Sequence, residues 1–488
     1  MFAEPPGAKR STVMKLAVIG CGYVGLVTAA CFAELGHEVY AAERDRARLS
    51  LLKQGLSPIY EQHLPELLRK HCGHKLKFCG SAAEAIRDVT IAFICVATPC
   101  ARNGETDLSG IDEVVAEISR SMRPHLLVVQ KSTVPVRTCE AIREAMAQNG
   151  VPPHSFSVAS NPEFLREGTA VQDFLYPSRI VLGAEGESSL QKLERLYLPL
   201  TSGKYYQRAD CVPGVSAGPV RIIMTTSKNA ELIKHASNAF LATKISFINE
   251  VANIAELTGA DIHEIRAGLG ADPRIGQEFL AAGIGFGGSC FPKDLRAFRA
   301  LAERAGHSFD LLSEVMRINV QQRTRFQNKI QTVLGPLRGR RVAVLGLSFK
   351  AGTDDIRESP AIAIVSYLLH QGMEVVAFDP AAMPRTKQQF PEGTLHFADG
   401  SYEAMTGADA LLILTEWPEF AHLDLRRVCK LLRSPLVIDG RNLYSFGAMK
   451  SAGLRYLCVG CPSDLPVKEY EDEQSSTTHV VCGDRRPG

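Results

Sequence analysis

The chain has 488 residues, more than one ordinary hydrophobic core holds, so two or three domains are expected. Its 55 Lys+Arg against 53 Asp+Glu leave a net charge of +2, which excludes the basic footprint of a nucleic-acid or membrane-surface binder. No apolar run is long enough to cross a bilayer, the first residues lack the apolar middle of a secretory signal, and the thirteen cysteines are scattered, many inside apolar runs. A soluble cytoplasmic protein with reduced thiols, acting on small molecules, is expected.

From Met14 onward, short β-rich runs alternate with amphipathic stretches: KLAVIG, EVYAA, TIAFICVAT, LLVVQ and FSVAS. This is the pattern of a parallel sheet with helical crossovers. Ser227 to Gly259 has no proline and no internal glycine and is rich in alanine, leucine and lysine, which predicts one long helix. More helix is predicted from Pro292 to about Leu334. A second alternating block begins at RRVAVLGL and continues through MEVVAFD, ADALLILT and SPLVIDG. The fold class expected is α/β, with two Rossmann-like parallel-sheet domains joined by a long central helix and a helical middle domain. The boundaries are an extension over 1–13, a first sheet domain over 14–210, a helical domain over 211–335, a second sheet domain over 336–461, and a polar, disordered tail over 462–488. Cys211 to Pro219 reads as a glycine- and proline-rich loop insertion.

Strand KLAVIG runs into Gly20-Cys21-Gly22-Tyr23-Val24-Gly25 and then a helix, the context a dinucleotide-binding G-x-G-x-x-G spacing requires. Gly20 makes the turn, Gly22 lets a pyrophosphate approach the backbone, and Gly25 lets helix and strand pack closely. EVYAA ends at Glu43, placed to bind ribose hydroxyls, and a carboxylate there favours NAD over NADP; Arg44 beside it pulls the other way. In the second block the corresponding turn, LGLSFKAGTDDIRESP, has no glycine triplet but carries Lys350, Asp354, Asp355 and Arg357, a mixture suited to phosphate or ribose, or to an unremarkable surface loop.

GFGGSCFPKD sets Cys290 before a proline that suits a first helical turn, so the thiol should sit at a helix mouth with Lys293 and Asp294 close by. A helix N-terminus favours a thiolate by about 0.3–1 kcal/mol, and Lys293 or Lys234 would have to supply the rest. Gly285, Gly287 and Gly288 remove side chains around the thiol, which should let a bulky substrate approach. On the long helix Glu231, Lys234 and Asn238 share one face, either a solvated stripe or a set of substrate ligands. Two cysteine patterns, HCGH (His71 to His74) and CVGC (Cys458 to Cys461), have no second ligand pair at finger-like spacing, so no metal site is expected.

Taken with SPIYE, KSTVPV, NPEFLREG and AELIKHASNAFLATKISFINE, these motifs resemble the UDP-glucose/GDP-mannose dehydrogenase family from about Met14 to Cys458. The phenylalanine after Cys290 looks like the UDP-glucose branch. The resemblance implies an NAD-dependent four-electron oxidation of a sugar's primary alcohol to a carboxylate, UDP-glucose to UDP-glucuronate, through a Cys290 thiohemiacetal and thioester. It implies proton handling and oxyanion stabilisation by Lys234 and Asp294, donation to that oxygen by Asn238, and water positioning by Thr133 and Glu163. It carries Glu163, Phe164, Leu165, Glu167, Lys234, Asn238, Phe286, Gly287, Lys350 and Arg441 over as substrate contacts. Arg274 would be lent to a neighbouring subunit, so a homo-oligomer, at least a dimer, is implied. For NAD it carries over Gly20, Gly22, Tyr23, Val24, Gly25, Glu43, Thr98, Thr133, Glu167, Lys293 and Arg357.

This sequence departs from the family pattern in Glu43 for aspartate, in SPIYEQH without Pro-Gly, in Arg137 where glycine is usual, and in the longer loop near Cys211. Other readings stay open: the same chemistry on GDP-mannose or a UDP-N-acetyl sugar, a two-electron NAD dehydrogenase in which Cys290 is structural, or a non-catalytic NAD-binding module.

Overall fold

The computed structural model describes residues 13–101, 104–215 and 219–462. The extension before residue 13, the tail after 462 and part of the Cys211–Pro219 loop lie outside them. Among the described residues no helix is long and apolar enough to cross a membrane.

The first sheet has eight strands: β1 (Lys15–Ile19), β2 (Glu38–Ala42), β3 (Leu76–Cys79), β4 (Ile91–Ile94), β5 (Leu126–Gln130), β6 (Phe156–Ser160), β7 (Arg179–Ala184) and β8 (Arg221–Thr225), in the order β3-β2-β1-β4-β5-β6-β7-β8. β4 and β5 are fully buried, as strands covered by helices on both faces must be. β6 and β7 pair antiparallel, a reversal the sequence reading did not anticipate. The chain leaving β6 folds back through NPEFLREG and the six-residue helix Ala170–Leu175 without crossing to the far edge, so this loop stays at the carboxyl ends of the central strands. That is where open α/β sheets bind ligands.

The 32-residue helix Ser227–Thr258 begins on a Thr226 cap and ends at Gly259, in the left-handed region at φ 73°. It runs back along β7: a Cβ on Gly183 would lie 2.5 Å from that of Ala230, and at the other end Arg179 donates to Ser237 Oγ at 3.2 Å. Lys234 and Asn238 are thereby carried toward the NPEFLREG loop. Helices Ile262–Ala271, Phe291–Arg304 and Asp310–Leu334 complete the middle. A second sheet follows, with β9 (Arg341–Leu345), β10 (Glu374–Phe378), β11 (His396–Phe397), β12 (Ala410–Ile413), β13 (Leu436–Asp439) and β14 (Arg455–Leu457) in the order β11-β10-β9-β12-β13-β14, all parallel. Its core is continuous with Ile248, Ile262 and Phe326 of the middle helices, which fixes this sheet against them.

Candidate active site

β1 ends at Gly20, and Gly22 caps the helix Tyr23–Glu34 without any side-chain cap, leaving the first-turn N–H groups open. A Cβ on Gly22 would meet nothing within 4 Å, whereas one on Gly25 would lie 1.8 Å from the Gly20 carbonyl oxygen. Open space over Gly22 and obligatory contact at Gly25 fit a pyrophosphate on this helix N-terminus. Glu43 is buried at the end of β2, where its carboxylate accepts from the Asp45 N–H at 2.9 Å. Arg44 turns away to an exposed pair with Glu113 at 3.0 Å, so it does not offer its charge to a ribose phosphate. Tyr23 has a second duty: its hydroxyl accepts from the Gly168 N–H at 2.5 Å and ties the dinucleotide turn to the NPEFLREG loop. Val24 lies in the same first turn.

Cys290 is the N-cap of the helix Phe291–Arg304, with Lys293 and Asp294 in its first turn, as the proline predicts. The thiol lines a cavity of about 980 Å³ bounded by the NPEFLREG loop, the long helix, the Gly285–Phe291 loop and the turn at Phe349 and Lys350. Lys234, Asn238 and Glu163 also line it, and Asp294 joins them through Asn238. Lys234 Nζ lies 2.9 Å from Glu163 Oε1 and donates to Asn238 Oδ1 at 3.4 Å, and Asn238 Nδ2 donates to Asp294 Oδ2 at 2.6 Å. One N–H of Asn238 therefore remains for another acceptor. Glu163 also takes the Leu165 N–H at 2.5 Å, which fixes its carboxylate. Lys293 pairs with Asp294 at 3.2 Å and donates to Thr98 Oγ1 at 3.2 Å, whose hydroxyl reaches the Thr133 carbonyl at 2.9 Å. Lys293 thus spans the reacting region and the carboxyl edge of the first sheet.

The modest preference of the helix mouth for a thiolate is opposed by the surroundings. Burial first, then the Glu163 and Asp294 carboxylates, push the Cys290 thiol up to about 11, against the opposing pull of Lys234. The helix N-terminus is worth too little to reverse this. Burial also works against the Lys234 ammonium, but Glu163 and Asp294 outweigh it and hold the lysine above its ordinary value. The surroundings therefore favour the protonated thiol and, beside it, the Lys234 ammonium.

The glycines before the thiol also serve packing. A Cβ on Gly285 would meet Asn319 Oδ1 at 2.6 Å, one on Gly287 the Glu358 carbonyl oxygen at 2.2 Å, and one on Gly288 the Phe349 ring at 2.7 Å. They let protein pack closely against the loop, and all three also line the cavity beside the thiol. Phe286 is clamped through its backbone by Asn319, which accepts from its N–H at 2.8 Å and donates to its carbonyl at 3.0 Å.

Other carried-over residues divide by position. Phe164 stacks under the Arg179 guanidinium at 3.8 Å, and with Leu165 it lines the cavity. Arg441 donates to the Leu414 and Phe349 carbonyls, each at 2.9 Å, and so fixes the turn that carries Lys350 into the cavity. Arg357 chelates Asp355 and lies 3.5 Å from Glu167. Arg274 stands apart, exposed and paired with Asp272. Glu231 leaves the Lys234 face: its buried carboxylate accepts from the Arg137 and Cys139 N–H groups at 2.7 and 2.8 Å. Arg137, where glycine is usual, is held at φ 79°, a left-handed conformation that the Glu231 contact helps secure.

Three site residues escaped the sequence reading. Ser289 donates to Glu167 Oε1 at 2.7 Å and lies 3.5 Å from Cys290 Sγ, bridging thiol and carboxyl. Glu167 is pushed up to about 7 by burial and then by Asp355. Lys131 donates to the backbone and side-chain oxygens of Asn161, at 3.3 and 3.2 Å, anchoring the start of NPEFLREG. Glu61 accepts from the Gly168 and Ala170 N–H groups at 2.7 and 2.8 Å and holds its other end. The motifs KSTVPV and SPIYE carried the last two, and adjacency to the nucleophile could have flagged Ser289.

Comparison with known proteins matches three successive family models: the NAD binding domain of the UDP-glucose/GDP-mannose dehydrogenase family over residues 14–201, its central domain over 228–321 and its UDP binding domain over 343–446. The chain is 41% identical over 450 residues to UDP-glucose 6-dehydrogenase TuaD of Bacillus subtilis, covering 92% of this chain and 94% of that protein. It is 42% identical over 460 residues to UDP-glucose 6-dehydrogenase of Pseudomonas aeruginosa, covering 92% and 98%. Among solved structures it superposes on a UDP-glucose dehydrogenase from Pyrobaculum islandicum with a TM-score of 0.81 at 37% identity, covering 93% and 99% of the two chains. It superposes on a UDP-D-ManNAc dehydrogenase from Pyrococcus horikoshii at 0.78 and 27% identity, covering 92% and 99%. A dinucleotide turn that fits NAD, a cavity thiol facing a buried ammonium, and this likeness along nearly the whole chain have one conclusion: the protein is an NAD-dependent enzyme of the UDP-glucose/GDP-mannose dehydrogenase family.

Proposed function

We propose that the chain oxidises the C6 alcohol of UDP-glucose to the carboxylate of UDP-glucuronate in two successive NAD-dependent steps, with Cys290 holding the intermediate. The observation that carries this reading is Cys290 at a helix mouth inside a large cavity, beside the Lys234–Asn238–Asp294 chain. A two-electron dehydrogenase needs no such thiol. The relatives at 41–42% identity are named UDP-glucose 6-dehydrogenases, and the likeness to the UDP-D-ManNAc enzyme is lower, which supports glucose as the sugar.

Bound NAD supplies the hydride acceptor for each oxidation. The chain's own groups do the rest. The ammonium of Lys234 and the remaining N–H of Asn238 donate to the substrate oxygen as it gains negative charge. Asp294, hydrogen-bonded to Asn238 and paired with Lys293, takes the alcohol proton. After the first oxidation the Cys290 sulfur adds to the aldehyde carbon; the C–S bond forms as the C=O π bond opens, the oxygen takes back from Asp294 the proton it gave up and becomes a hydroxyl, and the thiol proton leaves through Ser289 to Glu167. The second oxidation removes a hydride from that carbon while Asp294 again takes the hydroxyl proton, leaving a thioester. Water held near Thr133 and Glu163 adds to it, and the thiol returns as the carboxylate departs. Lys350, with its turn fixed by Arg441, faces the diphosphate and uridine end.

The same reading keeps the boundaries 14–210, 211–335 and 336–461 for the NAD-binding, helical and UDP-sugar-binding domains. It also makes the enzyme a homodimer or larger: Arg274 is unused by its own cavity, and the long helix leaves Phe240, Phe247, Ile254 and Leu257 exposed along its length, as a surface awaiting a second copy would. The twelve cysteines of the described residues are all free, which supports a cytoplasmic setting.

The test is NADH stoichiometry with UDP-glucose, GDP-mannose and UDP-N-acetyl sugars. Two NADH per UDP-glucose, and loss of net turnover in Cys290→Ser with NAD binding intact, are expected. One NADH per substrate, or normal two-NADH turnover by Cys290→Ser, rejects the covalent route.

A further inference from the structure

Beyond the active site, the CVGC segment acquires partners that local spacing does not reveal. After β14 the chain turns through Cys458 to Cys461 and lies across the junction between the long helix and the helix Ile262–Ala271. Four backbone contacts hold it there: the Gly460 N–H donates to Glu256 at 2.6 Å, the Ile262 N–H donates to the Gly460 carbonyl at 2.9 Å, and Asn442 bonds both the N–H and the carbonyl of Val459, at 2.9 and 2.7 Å. A Cβ on Gly460 would strike Ala252 and Ile262 at 2.7 and 2.8 Å, so the segment is seated closely.

This seating brings Cys461, which is buried, to Asp261 and His263. One ligand atom from each of the three lies within 4.8 Å of the other two, and Cys461 Sγ is 3.5 Å from Asp261 Oδ1. The buried Cys458 thiol lies next to that of Cys461. Asp261 is already oriented, because it caps the helix through the His263 N–H at 2.7 Å. Donors around a tetrahedral zinc, with Zn–S of about 2.3 Å and Zn–N of about 2.0 Å, stand roughly 3.3–3.8 Å apart. His263 is exposed, and its ring already faces the Cys461 thiol.

We propose that Asp261, His263, Cys461 and Cys458 form a binding site for a zinc-like divalent cation that staples the end of the second sheet domain to the start of the Ile262–Ala271 helix. Two sulfurs, an imidazole and a carboxylate select a borderline-soft, tetrahedral metal over magnesium or calcium. With all four positions filled by protein the site is structural, and binding releases the thiol protons to solvent. The helix it pins leads directly to Asp272 and Arg274, so the staple steadies the loop reserved for a neighbouring subunit. This site stands independently of the reaction proposed above.

The test uses the full-length protein, stripped with a chelator and titrated with Co(II), then Zn(II). One cobalt per chain, with thiolate-to-cobalt charge transfer and the visible bands of a tetrahedral ion, is expected, displaced by zinc and accompanied by a rise in Tm. His263→Ala and Cys461→Ser should weaken binding by at least about 100-fold, since loss of even an outer-shell partner costs about 10–100-fold. Both should lose the zinc-dependent rise in Tm and keep catalytic turnover, which shows that they fold. The proposal is overturned by a wild type that shows no cobalt–thiolate absorption, by a spectrum that survives in Cys461→Ser and so belongs to other thiols, or by a Cys458–Cys461 disulfide in protein purified without oxidant.

Discussion

The proposed covalent route makes its sharpest demand on Cys290, whose thiol is pushed up to about 11 by burial and then by the Glu163 and Asp294 carboxylates. At pH 7 only ~10⁻⁴ of it is ionised, and preparing free thiolate costs about 5 kcal/mol. Against an ordinary thiol near 8.5, Cys290 in the ligand-free enzyme should react with iodoacetamide about 300-fold more slowly, read as alkylation of the Cys290 peptide by mass spectrometry. The proposed covalent route must therefore remove the proton as the C–S bond forms, and the Ser289 bridge to Glu167 is the path on offer. Glu167→Gln separates charge from base function because its two effects run in opposite directions. Removing a carboxylate that helps raise the thiol should speed alkylation, while losing a general base should slow capture of the directly supplied 6-aldehyde by ~10²–10⁴ in NADH release. Wild-type capture should climb with pH as Glu167 loses its proton and level off above about 7, and Glu167→Gln should lose that limb. Ser289→Ala should slow capture while keeping the carboxylate. Alkylation as fast as that of a small thiol would refute the burial reasoning, and wild-type capture by Glu167→Gln would refute the relay.

Lys234→Met should lower kcat by ~10²–10³ with NAD affinity within about twofold of wild type, since it removes one preorganised donor from the developing oxyanion; a loss below tenfold in steady-state turnover would take Lys234 out of that role. Glu43→Ala should weaken NAD by about 10–100-fold, as loss of charged hydrogen bonds worth roughly 1.5–3 kcal/mol requires, and should bring NAD and NADP affinities closer. Calorimetry that finds an unchanged NAD-to-NADP ratio contradicts it. Gly287→Ala places a methyl 2.2 Å from the Glu358 carbonyl oxygen, so it should cost about 1–3 kcal/mol and lower Tm and kcat together, whereas wild-type melting would mean that the contact opens freely.

The elements that were legible in the sequence are those whose signals are local. The prolineless, alanine-rich run over 227–259 is the helix Ser227–Thr258, and Pro292 does place Cys290 at a helix mouth. What local patterns could not carry is direction and burial. Glu231 and Lys234 share a helical face by spacing, yet Glu231 serves the N–H groups of Arg137 and Cys139, because the two face different neighbours. Arg44 looked able to oppose Glu43 until its side chain turned to Glu113. The helix mouth and a lysine favour a Cys290 thiolate, whereas desolvation and the Glu163 and Asp294 carboxylates, which no local pattern shows, oppose it. CVGC lacked a second ligand pair only within its own neighbourhood; Asp261 and His263 lie about two hundred residues earlier in the chain, and only tertiary structure joins them.

The glycines around the thiol show how the domains and the chemistry depend on one another. Gly168, in the substrate loop, and Gly287, in the thiol loop, each have the place of a Cβ taken by backbone of the second sheet domain, at Gly352 and Glu358 respectively, and Gly288 has it taken by the Phe349 ring. The first sheet supplies Glu163 and Glu167, the helical middle supplies Lys234, Asn238, Cys290 and Asp294, and the second sheet domain supplies Lys350, Arg357 and the contacts that press the other two together. A site assembled this way excludes water only when all three parts are seated. That same seating half-buries the thiol and sets the Glu163 and Asp294 carboxylates near it, which favours its protonated form, so under the proposed covalent route the closeness that would shelter an aldehyde also calls for a path for the thiol's proton.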